Sequence, residues 1–184
     1  MKTVKALSAA TLEVKKSKFH SFLVPFSSFE EKLEELKKLH PKANHHVTAF
    51  RYLNEYNQIV EGSSDDGEPR GSSGRPTLKV LQGNDLINVG IITVRYFGGI
   101  LLGVGGLVKA YSDTANLAVK NAQLLEYKDI FEYSFSVDYE KTREIEYILK
   151  QNSIFVENRE FGIDGIEYTV RDDIEKINLI KGVL

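Results

Sequence analysis

Two stretches of this 184-residue chain concentrate the residue types that do chemistry. The first is Ser64-Asp65-Asp66-Gly67-Glu68-Pro69-Arg70-Gly71-Ser72-Ser73-Gly74-Arg75-Pro76. Carboxylates as close as Asp65, Asp66 and Glu68 suit a hard cation such as magnesium, but their spacing is not that of a calcium loop. The same groups can accept backbone N–H bonds or pair with Arg70, Arg75 and Arg95. Acidic residues in loops mostly cap turns, so the expectation is a loop cluster of His45, Asp65, Asp66, Glu68 and Arg70 that holds no metal.

The second stretch runs from Arg95-Tyr96-Phe97 through Gly98, Gly99, Gly103, Gly105 and Gly106 to Lys109. Strand, glycine loop and helix in that order can cradle an anion, because glycine lets a ligand approach the backbone and the first amides of a helix are free. Arg75, Arg95 and Lys109 could add charge-assisted contacts. The spacing is neither a Walker loop nor the dinucleotide GxGxxG. The alternative is a tight turn whose glycines serve packing, and spacing alone leaves the two open. For nucleic acid, Arg51 and Arg70 join these cations, and Tyr96 and Phe97 are aromatic faces that could stack or fill a core.

His45 and His46 are adjacent at a strand start, so they point to opposite faces and do not share one metal. One is expected near the loop cluster and the other on ordinary surface. Histidine suits proton transfer near neutrality, but no serine elbow accompanies it and the chain has no cysteine. A binding protein without catalytic activity and without a cofactor is therefore expected. An enzyme acting on a phosphorylated or anionic small molecule in the same cleft is the alternative.

The elements that must position these residues follow from pattern. Residues 11–14 and 19–24 read as a hairpin. Ser27 and Ser28 precede Glu30 and Glu31 at capping-box spacing, and Phe29, Leu33, Leu36 and Leu39 form an apolar helix face that Pro41 ends. Residues 46–53 read as a strand, 54–57 as a turn with 58–60 pairing back, 61–76 as loop, and 77–81 as a short helix. Residues 89–96 (VGIITVRY) are rich in β-branched residues, as in a central strand buried on both faces. Residues 107–124 form a helix with Leu107, Tyr111, Thr114, Ala118 and Ala122 inward. Beyond Leu125 the order is strand, helix, strand, strand, helix, which resembles a ferredoxin-like half-sandwich with a stubby or absent last strand.

Charge divides the chain at the same place. Through Leu125 there are sixteen basic and twelve acidic residues, a balance of +4; after it, eight against fourteen give −6. Opposite signs suggest two units with different partners. No apolar run approaches the roughly 20 residues of a membrane helix, and the first residues lack a signal peptide's apolar stretch, so a cytoplasmic protein with no membrane partner is expected.

The blocks Ser64-Asp65-Asp66-Gly67-Glu68-Pro69, Gly74-Arg75-Pro76 and the run from Arg95-Tyr96-Phe97-Gly98-Gly99-Ile100 to Lys109-Ala110-Tyr111-Ser112 resemble the signature blocks of the IMPACT/YigZ family. Arg70 stands where relatives usually carry a small residue. The resemblance implies an α+β chain: residues 1–125 similar to ribosomal protein S5 domain 2, and residues 126–184 ferredoxin-like, similar to elongation factor G domain V. It also implies a link to translation, with RNA or the ribosome, or a protein, as partner. For bacterial members it implies no particular reaction.

Overall fold

β-Branched residues set the centre of the larger sheet. Val89–Tyr96 (β6) lies in the middle of five strands ordered β2-β3-β6-β4-β5, where the others are Ser8–Val14 (β2), Ser17–Pro25 (β3), His45–Leu53 (β4) and Ile59–Ser64 (β5). Every pairing is antiparallel. From Val89 to Arg95 every residue of β6 is buried, because helices cover both faces of the sheet. The computed structural model describes residues 1–184.

Phe29–Leu39 (α1) covers one face, packing Phe29 and Leu36 on Val24, Ile92 and Val94. The Phe29 ring lies against Gly90, where any Cβ would come within 2.2 Å of it. Gly74–Gly83 (α2) and Gly103–Asn121 (α3) cover the other face through Val80, Leu81, Ala115, Ala118 and Val119. Two short strands, Lys2–Thr3 (β1) and Leu125–Glu126 (β7), pair with each other.

The chain divides into two compact units, Met1–Tyr127 and Lys128–Leu184, so the architecture is α+β with two domains. The second holds Phe131–Asp138 (β8), Thr142–Gln151 (α4), Phe155–Phe161 (β9), Gly165–Asp172 (β10) and Ile174–Lys181 (α5). Its antiparallel sheet has the order β8-β10-β9. Phe135, Val137, Tyr168 and Val170 of the sheet pack with Ile145, Leu149 and Ile180 of the helices. No fourth strand pairs with β8.

Several local expectations are corrected. The capping box does not form: Phe26–Ser28 is a 3-10 turn, and the Ser28 hydroxyl donates to the Pro25 carbonyl instead. Leu39 ends α1 in solvent. β5 runs on to Ser64, and α2 starts at Gly74 within the stretch read as loop. α3 starts at Gly103, among the glycines.

Candidate functional site

Strand register builds the floor of the site. Arg95 on β6 lies directly opposite Phe19 on β3 and His45 on β4. Side chains alternate along a strand, so all three project toward the face covered by α3. Tyr111 of α3 closes over them, its ring edge-on to Phe19 at 5.1 Å. Glu68 reaches into this layer from the acidic loop. Its Oε1 accepts from Arg95 Nη1 at 2.5 Å and from the Tyr111 hydroxyl at 2.7 Å, and His45 Nε2 lies 3.8 Å away. Burial, and then the bond to Glu68, push the Tyr111 pKa far above its ordinary value, so the phenol stays a donor.

Glu68 and Arg95 are 7% and 5% exposed, so the guanidinium is already matched by a carboxylate and is not a free cation. It also stacks near Phe19 and Phe97, at 5.4 and 5.7 Å from the ring centroids. Arg95 Nε is buried without a partner.

The other carboxylates of the loop are spent on the backbone. Asp65 accepts from the amides of Gly71, Ser73 and Gly74 and from the Ser73 hydroxyl, at 2.7–3.2 Å. Burial pulls its pKa upward, but these four bonds outweigh it and hold the carboxyl below its ordinary value. Asp66 accepts from the His46 amide at 2.5 Å, while its carbonyl oxygen meets His45 Nδ1 at 2.8 Å. No three of the His, Asp and Glu side chains gather as metal ligands would.

Over this floor lies a cavity of about 490 Å³ with one wall from the acidic loop (Gly67, Glu68, Pro69) and another from the glycine loop (Phe97 and residues 101–104). The two sequence blocks therefore meet in space. Gly98 does not contribute a free amide: its N–H donates to Ser17 Oγ, and the Phe97 N–H donates to Asn44 Oδ1. Its lack of a side chain instead allows close approach, since a Cβ would come 2.1 Å from the Lys16 carbonyl carbon. Gly99 and Gly103 adopt φ of +83° and +73°, a turn that side chains strain. Gly105 and Gly106 lie in the first turn of α3, whose N-cap, Leu102, supplies no side-chain acceptor. The positive end of a 19-residue helix thus opens beside the cavity. Phe97 and Leu101 at its edge are 45% and 84% exposed.

Lys109 is not in this cavity; it pairs with Asp113 on the exposed side of α3. Arg75 faces a separate groove between α2 and α3. Arg70 is exposed and makes no ion pair. His46 is not plain surface: it is half-buried, its Nε2 lacks a partner, and burial lowers its pKa. Asn44, Ser17 and Tyr111 complete the site, and only long-range pairing reveals their parts in it.

The family profile described as Impact N-terminal domain matches residues 15–119, and the chain belongs to the IMPACT family. It is 37% identical over 142 residues to IMPACT family member YigZ of Escherichia coli strain K12, covering 76% of this chain and 70% of that one. It is 33% identical over 159 residues to the Thermus thermophilus "IMPACT family member in pol 5'region", covering 86% and 85%. Among solved structures, one titled as the crystal structure of a hypothetical protein superposes with a TM-score of 0.69 at 30% identity, over 98% of this chain and 89% of that one. No helix is long and apolar enough to cross a membrane.

Proposed function

We propose that this is a non-enzymatic, translation-associated binding protein of the cytoplasm. It engages RNA, free or on the ribosome, through the cavity between the glycine and acidic loops. The single observation that carries the reading is the uncapped end of α3 opening beside that cavity. A phosphate is held by the first-turn amides, and a base stacks on Phe97, since base–aromatic stacking tolerates any sequence. Arg95 acts from below by fixing Glu68 and Phe97 and not as the main phosphate contact. The +4 balance through Leu125 supports an anionic ligand. In keeping with the family resemblance, residues 1–125 are assigned as the S5 domain 2-like part. Residues 126–184 are assigned as a ferredoxin-like part, whose β8-β10-β9 order supports the reading.

Gly105→Glu tests this directly. A Cβ at Gly105 meets nothing within 4 Å, so the fold tolerates it. A carboxylate in the first turn stabilises a helix while competing with phosphate. Binding of labelled single-stranded RNA should weaken at least about tenfold, the loss of one charge-assisted contact of ~1.4 kcal/mol. Unchanged affinity in a folded variant would remove the cavity from RNA binding.

One observation favours the enzyme alternative: His45 and Glu68 line the cavity 3.8 Å apart, beside Tyr111 and Arg95. On that reading His45 exchanges a proton with an anionic substrate that the α3 amides hold. His45→Gln tests this alternative: turnover of such a substrate should be abolished, and unchanged turnover would overturn it.

A further inference from the structure

Between α2 and α3 lies a second, larger groove of about 940 Å³, separate from the cavity under the glycine loop. One wall carries Arg75 and Lys79, one helical turn apart on α2 and both exposed. Neither makes an ion pair or a hydrogen bond within the protein. Like charges at this spacing destabilise a helix, and no carboxylate of the fold offsets them. The acid that lines the groove, Glu61, is spent: Oε1 accepts from Arg51 Nε at 2.6 Å and Oε2 from Gln82 Nε2 at 2.8 Å. Asp113, next along α3, is taken by Lys109, and Asp85 by the N-terminus. The facing wall offers the Ser112 hydroxyl and the Asn116 amide, neutral donors spaced one turn apart. Unpaired cations opposite neutral donors, in an open trough with no free carboxylate, are complementary to a chain of phosphates.

We propose that the α2–α3 groove binds the phosphodiester backbone of single-stranded RNA, with Arg75 and Lys79 contacting successive phosphates and Ser112 and Asn116 bonding sugar or phosphate oxygens. The choice of RNA as the polyanion rests on the function proposed above; the groove and its charges do not. A cavity that takes a base and a trough that takes backbone make different demands: the trough supplies salt-dependent, sequence-independent affinity.

The test is fluorescence anisotropy of labelled oligouridylate across a salt series, with wild type, Arg75→Gln/Lys79→Gln, Lys38→Gln/Lys42→Gln and Gly105→Glu. The control pair removes the same charge from exposed positions at the end of α1. For single strands each phosphate contributes about 0.7 to the slope of log affinity against log salt. The groove variant should therefore lose about 1.4 of slope and at least tenfold in low-salt affinity, with little change in the control. An equal loss in both double variants overturns the proposal, as generic charge attraction. Full slope in the groove variant with binding lost in Gly105→Glu overturns the groove and keeps the cavity; the reverse keeps the groove and overturns the cavity. If wild type binds no oligouridylate, both fall.

Discussion

Two helices of the first domain begin after glycine-rich segments, and their N-termini have opposite fates. At α2 the chain brings its own anion: Asp65 accepts three amides and a hydroxyl there. At α3 the N-cap is Leu102 and no side chain caps the turn. Both ends carry the same partial positive charge. One is satisfied internally and stiffens the fold, while the other stays open beside a cavity. Carboxylates decide the difference: the acidic loop closes α2 with Asp65 and matches Arg95 and the Tyr111 hydroxyl with Glu68, yet sends no carboxylate to the first turn of α3. Within the fold, Asp65 and Glu68 of the acidic loop act as scaffold for the glycine-rich neighbour.

The sharpest way to break this contrast is Glu68→Ala. It leaves Arg95 buried without its carboxylate, and removing one partner of such a pair costs about 3–5 kcal/mol. Urea unfolding should show that loss; a cost below about 1 kcal/mol would mean that Glu68 is not structural. Next comes Asp65→Ala, which makes the end of α2 as open as that of α3. It should cost up to about 2 kcal/mol, the upper range for a lost N-cap, read from the shift in the unfolding midpoint.

A pH series sharpens the same point. The Asp65 pKa is depressed in the fold, so its contribution is complete above the unfolded value near 3.9 and is lost as pH falls through the native value. Wild type should lose stability on acidification below about pH 4 more steeply than Asp65→Asn; parallel curves would show that the carboxylate contributes nothing there. The smallest effect has the opposite sign. Gly105→Glu should raise stability by roughly 0.3–1 kcal/mol, since a first-turn carboxylate complements an uncapped helix. A destabilised variant would mean that the end of α3 is already satisfied.

Much of this was legible locally. Residues 89–96 announced a strand buried on both faces because β-branched residues fill both of its sides, and β6 is that strand. Leu107, Tyr111, Thr114 and Ala118 carried the helical period of α3, and all four are buried. The start of α2 was not legible. Gly74-Arg75-Pro76 has the composition of a turn, and the carboxylate that caps it lies nine positions upstream. Proline is tolerated in a first turn, where amides lack helical partners anyway. The site followed the same rule: Arg95, Glu68 and the glycines were visible as residue types, but that Arg95 is spent on Glu68, and that Ser17 and Asn44 hold the amides of Gly98 and Phe97, was not.

By itself the sequence determined the family blocks, the central strand, the period of the long helix and the change of charge near Leu125, because these depend on neighbours a few residues apart. Only the tertiary structure decided which cations stay free, which amides are occupied and which helix end lies open. Those outcomes depend on strand register and on contacts across 27 to 81 positions of chain, such as Arg95 with Glu68 and Gly98 with Ser17. A hydrogen bond or an ion pair is selected by distance in space, and separation along the chain does not encode it.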